Sequence, residues 1–204
     1  MHSIGITRNW RTAIHRRRLG VAFMALCIAL LATSTHSSLS AQDVSQLRSE
    51  QSCRIFVQQF YTWYLGRTAV NDKSRSAGPS WDDVPRLRPQ VLSPELLGLL
   101  KDDLAASRSN SEEIVGLDWD PFLATQDPSP KFEVENVSLK AGHCFAVVNG
   151  IEHGKRQESV SPELVQSGET WIFVNFHYKG QSPQDENLIG TLKHLRDERK
   201  KAKN

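Results

Sequence analysis

The sequence has no apolar run long enough for an ordinary transmembrane helix. The apolar stretch Leu19–Ala32, LGVAFMALCIALLA, has fourteen residues and no charge. A helix of that length covers roughly 21 Å, whereas the hydrocarbon core of a bilayer is ~30 Å thick. A multi-span membrane protein is therefore excluded, and a permanent anchor is the weaker interpretation of this stretch.

Acidic residues are missing from the N-terminal region. None occurs before Asp43, and the five charges there are all arginines. These are Arg8, Arg11, Arg16, Arg17 and Arg18. A basic region, the apolar stretch and a small polar stretch, TSTHSSLSA, follow one another, which is the order of a secretory signal peptide. Residues 1–41 are predicted to be this signal, cleaved after Ala41, and the protein is predicted to be periplasmic or secreted.

The rest of the chain has no basic excess. The whole sequence carries 25 basic and 23 acidic residues, so removal of the five N-terminal arginines leaves a net charge of −3. Binding to a nucleic-acid backbone needs a dense basic face, so a nucleic-acid partner is excluded. We expect a protein or small-ligand partner in the cell envelope, with membrane contact only through the signal segment.

Cysteine is scarce, with three residues. Cys27 lies in the predicted signal and leaves with it, so Cys53 and Cys144 remain. An even pair in an oxidising compartment predicts a disulfide, and the alternative is two buried free thiols. There is no CxxC pair and the seven histidines show no ligand spacing, so neither a metal nor a cofactor is predicted.

Helical periodicity occurs in three segments. The first is Val44–Leu65, the second begins at Ser93-Pro94-Glu95 and ends near Ser107, and the third is Asn187–Lys201. A polar connector at 71–89 is predicted to be a flexible or binding loop, and residues 196–204 a solvated basic tail. Residues 42–204 are predicted to form a single domain.

Strand-like runs are grouped between the second and third helices. They are Phe132–Leu139, Cys144–Asn149, Glu158–Gln166 and Thr170–Tyr178. Strict alternation in the last run would place Trp171, Phe173, Asn175 and His177 on one face. Helices followed by consecutive strands predict an α+β fold, with N-terminal helices on an antiparallel sheet and a C-terminal helix.

The segment Leu117–Asp127, LDWDPFLATQD, alternates carboxylates with large apolar groups. A calcium loop would begin with Asp118 and Asp120, but the next ligand position holds Phe122. Apolar neighbours could instead raise the pKa of one carboxyl group for acid–base chemistry. The preferred interpretation is that Asp118 and Asp120 cap turns while apolar neighbours fill the core. A cap predicts that Asp→Ala costs about 1 kcal/mol and Asp→Asn much less.

This segment, together with FYTWYL and WIFVNFHY, resembles a family of exported bacterial proteins of uncharacterised function. Its signature is LDxDPFxxxQD, and the resemblance extends from about Ile55 to Leu195. Such proteins are similar to the cystatin-like, nuclear-transport-factor-like architecture, in which a long first helix crosses a curved antiparallel sheet. The resemblance implies a fold and a compartment, and no activity.

Motifs of nucleophilic catalysis are missing, since there is no GxSxG elbow and no glycine-rich phosphate loop. The preferred hypothesis is therefore an exported, non-catalytic binding or accessory protein. The alternative is an isomerase- or lyase-like enzyme with Asp118 or Asp120 as base and Asn175 or His177 as its polar partner. The candidate binding residues are Asp118, Asp120, Gln126, Asp127, Asn175 and His177.

Overall fold

Helices precede and follow a four-stranded sheet in the computed structural model, which describes residues 40–67, 80–109, 116–179 and 186–202. These residues belong to one compact unit, Leu39–Asn204. The helices are α1 (Ala41–Gly66), α2 (Asp83–Leu87), α3 (Pro94–Ser109) and α4 (Leu188–Lys201), with a 3-10 turn at Pro89–Val91. The strands are β1 (Lys131–Lys140), β2 (His143–Glu152), β3 (Lys155–Ser167) and β4 (Thr170–Tyr178). The predicted α+β class is confirmed.

The sheet is a meander in which every neighbouring pair is antiparallel, in the order β1-β2-β3-β4. Two-residue turns join the strands. In the first, Ala141 and Gly142 both have positive φ, 51° and 80°, which is the type I′ geometry that matches the twist of a hairpin. Short local turns therefore fix the pairing that brings distant side chains together on each face.

A β-bulge in β4 overturns the strict alternation predicted from its sequence. Glu163 pairs with Asn175 but Leu164 pairs with Phe173, so Val174 is an extra residue. Beyond the extra residue, the alternation of side chains between the two faces of the sheet is shifted by one position. As a result four aromatic residues of β4, before and after the bulge, are buried. They are Trp171, Phe173, Phe176 and Tyr178.

Helix α1 crosses the sheet and is attached to it through several side chains, among them those of Ser52, Cys53 and Gln58. Ser52 accepts a hydrogen bond from the Trp171 indole on β4, at 3.0 Å. Cys53 forms a disulfide with Cys144 on β2, which confirms the predicted bridge. Gln58 donates to the Phe132 carbonyl and accepts from the Val134 N–H of β1, at 3.2 and 3.1 Å. These amide contacts cap the edge strand, whose free backbone groups would otherwise attract another strand.

The start of α1 lies at the predicted cleavage site. Ser40 caps the helix, accepting from the Asp43 N–H while the Asp43 carboxylate accepts from the Ser40 N–H. Cleavage after Ala41 would remove this capping box. The rest of the predicted signal, residues 1–39, lies outside the described residues. Among the described helices none is long and apolar enough to cross a membrane.

The loop predicted at 71–89 contains ordered helix, and the basic tail predicted at 196–204 lies largely in α4, in agreement with the helix predicted to Lys201. Part of the loop predicted at 71–89 is described, and residues 80–89 include α2, whose Val84 is fully buried. The predicted basic tail, 196–204, contributes its residues up to Lys201 to α4. Arg199 in this stretch is largely buried and pairs with Asp103, so it is not a solvated charge. The loop at 71–89 and the solvated tail were predicted from polar composition. Composition does not reveal the burial of Val84 or the ion pair between Arg199 and Asp103.

Candidate functional site

The centre of the signature segment is a tight turn from Asp120 to Thr125. The Ala124 N–H donates to the Asp120 carbonyl at 2.9 Å, and the Asp120 N–H donates to the Thr125 carbonyl at 3.0 Å. One carboxylate oxygen of Asp120, Oδ1, accepts from the N–H groups of Phe122 and Leu123, at 2.9 and 3.1 Å. Phe122 and Leu123 are fully buried. The predicted turn-capping role is therefore observed for Asp120.

The hydroxyl groups of all three tyrosines of the chain donate hydrogen bonds to this turn. Tyr64 donates to Asp120 Oδ2 at 2.6 Å. Tyr61 donates to the Phe122 carbonyl and Tyr178 to the Pro121 carbonyl, both at 2.9 Å. The turn is thus bound to α1 and to β4 by buried hydrogen bonds, which makes it a rigid platform.

The Asp120 carboxyl group is electrostatically unusual. Burial raises its pKa from 3.8 to about 7, although the hydrogen bonds from Tyr64, Phe122 and Leu123 oppose this shift. Burial also raises the pKa of the Tyr64 hydroxyl well above its ordinary value, and the charge of Asp120 adds to that effect. Both oxygens of Asp120 already accept hydrogen bonds, so the carboxylate serves the turn.

The residues before the turn are held by a buried carboxylate of α3. Asp103 accepts from the Leu117 N–H at 3.0 Å and from the Arg199 guanidinium of α4 at 2.6 Å. Asp103 is fully buried, and Arg199 also lies 3.6 Å from Asp102. This ion pair joins α3 and α4 and fixes the position of the chain at Leu117.

A surface groove of about 400 Å³ lies between the two arms of the signature segment and α4. Residues 116–119 and 124–126 form its sides, and α4 contributes Thr191 and Leu195. Its volume falls in the range of small-ligand sites. The turn and the Asp103–Arg199 pair fix both arms, so the groove is preformed within the described residues.

Asp118 and Gln126 face this groove, but Asp118 does not cap a turn. Its carboxylate has no hydrogen bond or ion pair with any residue that the structure describes. Instead its backbone carbonyl accepts from Gln126 Nε2, at 3.0 Å. Asp127 is exposed next to the groove, and its N–H donates to the Thr125 hydroxyl at 3.1 Å. The three side chains predicted to bind are thus neighbours, two of them lining the groove.

Asn175 and His177 lie elsewhere. Asn175 Oδ1 accepts from the Ile189 N–H, and its amide donates to Asn187, so it caps the start of α4. His177 Nε2 lies 2.7 Å from Glu163 Oε2, and His143 Nδ1 lies 2.6 Å from the other oxygen of Glu163. No described contact joins Asp120 to His177. Nor, within the described residues, does a hydrogen bond or ion pair join Asp118 to His177, or either aspartate to Asn175.

Several residues of the site were not found from the sequence. The tyrosine hydroxyls, Asp103 and the α4 side of the groove lie 14 to 96 positions from their partners, too far for a local pattern. One signal was available for the tyrosines. The whole sequence has eight phenylalanines and three tyrosines, the three tyrosines are all buried, and a buried tyrosine needs a partner for its hydroxyl.

Gly116 provides a test of how tightly the groove is built. A Cβ atom at Gly116 would contact Ser107 Oγ and lie 2.7 Å from Asp103 Oδ2. Gly116→Ala should therefore lower the free energy of unfolding by about 1–3 kcal/mol, as overpacking does. Gly98→Ala is the matched control, because a Cβ there meets nothing within 4 Å in α3 and should stabilise by about 1 kcal/mol. Equal urea-unfolding midpoints for both variants would contradict the close packing at Gly116.

Residues of the types that bind metals are dispersed over the part of the chain that the structure describes. No group of three or more histidine, cysteine, aspartate or glutamate side chains there could hold an ion.

No protein-family model and no curated protein matches the chain. The family suggested by the LDxDPFxxxQD signature therefore stays a prediction. Among solved structures, the chain is similar to one from the type VI native effector–immunity complex Tae3–Tai3 of Ralstonia pickettii. That match has 18% identity and a TM-score of 0.46, covering 64% of this chain and 98% of the other. A protein of unknown function from Bacteroides thetaiotaomicron has 14% identity and a TM-score of 0.45, covering 67% and 96%. With both TM-scores below 0.5, the site described above rests on the residues alone.

Proposed function

We propose that this protein is an exported, non-catalytic binding protein of the cell envelope, and that the groove beside the signature segment is its binding site. One observation carries the proposal: within the signature segment, some side chains fix the turn in the fold and others line the surface groove. Asp120 and Phe122 point into the fold, whereas Asp118 and Gln126 line a preformed surface groove. A rigid site on a stable platform binds without the cost of ordering its own loops.

The extracytoplasmic location is supported by two independent features. The N-terminal order of basic, apolar and small polar regions is typical of an export signal. The Cys53–Cys144 disulfide is typical of proteins in oxidising compartments. Neither feature depends on the other.

The enzyme hypothesis takes Asp118 or Asp120 as base and Asn175 or His177 as its polar partner, and an aspartate facing His177 in a deep pocket would favour it. In the described residues, Asp120 instead bonds to Tyr64 and to backbone N–H groups, and His177 bonds to Glu163. This arrangement supports binding over catalysis, because neither group has a free functional atom directed at the other. Asp118 in the groove has no neighbouring histidine among the residues that line it.

Site-specific photo-crosslinking in cells tests the proposal. A benzoylphenylalanine at position 118 should crosslink a partner in the osmotic-shock fraction. The same probe at Lys155, an exposed residue at the start of β3, is the control and should give no adduct. Recovery of the chain only in the cytoplasm, or the same adducts from both positions, would contradict it.

A further inference from the structure

The polar groups of the groove present mainly hydrogen-bond acceptors. The hydroxyl of Thr191 donates to the Asn187 carbonyl at 3.1 Å, and that of Thr125 donates to the Asp127 carbonyl at 3.2 Å. Each hydroxyl has one hydrogen, so neither can donate to a ligand, and only the Thr125 oxygen is accessible because Thr191 is buried. Gln126 uses one amide hydrogen on the Asp118 carbonyl, which leaves its side-chain oxygen as an acceptor and its second amide hydrogen as a donor.

Asp118 adds a full negative charge to these acceptors. Its side chain is exposed, and within the described residues no cation pairs with it. The cation of α4 that lies one turn beyond Leu195 is Arg199, which is already bonded to Asp103 and lies near Asp102. The groove therefore has an uncompensated carboxylate at its rim.

Apolar side chains form part of the walls of the groove. Leu117, Trp119 and Leu195 contribute them, together with Ala124. The Trp119 ring is held edge-to-face against Tyr178, with 4.8 Å between ring centroids, so its position is fixed. An aliphatic stem packs on such walls, and a cation near an indole face gains a further electrostatic attraction.

We propose that the groove binds a cationic group, an ammonium or a guanidinium, carried on an aliphatic stem. This inference rests on the groove being the binding site proposed above, and it specifies the ligand chemistry. A lysine or arginine side chain of a protein partner has this chemistry, and so does a free diamine. An anionic ligand is disfavoured, because it would meet Asp118 and acceptor oxygens where it needs donors.

The test is a titration of the 15N-labelled protein with N-acetyl-arginine amide, followed by NMR. The shifts should concentrate at the Trp119 indole and at the Gln126 side-chain amide. N-acetyl-citrulline amide has nearly the same shape without the charge and should bind about three- to tenfold more weakly. Asp118→Asn should weaken arginine binding by a similar factor. Glu169→Gln removes a negative charge from the exposed β3–β4 turn, at the other end of β4 from Tyr178, and should leave binding unchanged.

Several outcomes would overturn the inference: equal binding of citrulline and arginine, equal effects of Asp118→Asn and Glu169→Gln, or shifts spread over the surface. Putrescine distinguishes the sources of the cation. Tighter binding of putrescine than of the arginine amide indicates a free diamine, and the reverse indicates a side chain of a partner. A groove that crosslinks a partner but ignores every cation would refute this inference and leave the proposed function intact. Cation binding without any crosslinked partner would support the ligand chemistry and contradict a protein as the partner.

Discussion

Reduction of the Cys53–Cys144 disulfide is expected to lower the free energy of unfolding by about 4.5 kcal/mol. The bridge closes a loop with a sequence separation of 91, and its loss lets the unfolded chain explore many more conformations. Both cysteines are fully buried, with α1 on one side and β2 on the other. The effect would be large beside the 5–15 kcal/mol that stabilises a typical domain.

Urea unfolding with and without a thiol-free phosphine reductant measures this effect. The midpoint of the oxidised protein should fall clearly on reduction. The matched control is the Cys53→Ala, Cys144→Ala double variant, whose midpoint should not respond to the reductant. A wild-type midpoint that does not move would contradict the prediction.

Counting free thiols in denatured protein recovered from the cell envelope tests processing at the same time. A bridged chain without its signal should have none. One thiol would indicate that Cys27 is retained, and with it the N-terminal segment. Two or more would contradict the bridge.

Periodicity and residue chemistry predicted much of the fold. The three longer helices, the strands and the disulfide follow from local signals, because an apolar repeat, a Ser-Pro-Glu start and an even pair of cysteines each depend on nearby residues or simple counting. The β4 bulge was missed for a physical reason. A period-two pattern cannot reveal an extra residue such as Val174, and which face is buried changes at that point.

The candidate site was predicted only in part. The sequence indicated Asp118, Asp120 and Gln126 as one segment, since they are neighbours in the chain. The sequence could not show that Asp120 caps the turn while Asp118 lines the groove, because this difference depends on which carboxylate is buried. Tyr64 lies 56 positions before Asp120, and the groove is completed by α4, so both are products of tertiary packing.

The stability of the protein is expected to fall between about pH 4 and pH 7 through Asp120. The pKa of its carboxyl group is raised by burial to about 7, above the 3.8 of an exposed aspartate. Below pH 4 the group is protonated in both the folded and the unfolded states and contributes nothing. Between the two values only the folded state holds the proton, so each rise in pH favours unfolding. Above pH 7 the penalty is complete, on the order of 4 kcal/mol.

Asp120→Asn should remove this pH dependence. An asparagine oxygen can still accept from the Phe122 and Leu123 N–H groups, and its amide can donate to the Tyr64 oxygen. The variant should therefore melt higher than the wild type at pH 8 and no higher at pH 4. This modifies the expectation of a small loss for Asn, because the sequence did not reveal that the capping carboxylate is buried.

Asp120→Ala completes the experiment. It removes the charge but also leaves two turn N–H groups and the Tyr64 hydroxyl without their acceptor, so it should melt below the Asn variant at every pH. Asp118→Asn is the matched surface control and should run parallel to the wild type, because its carboxylate is exposed. Thermal melts of the four proteins from pH 4 to pH 8 give the answer. If the wild-type and Asp120→Asn curves stay parallel across that range, Asp120 does not titrate near neutrality, and the buried cluster with Tyr64 contributes no pH dependence to folding.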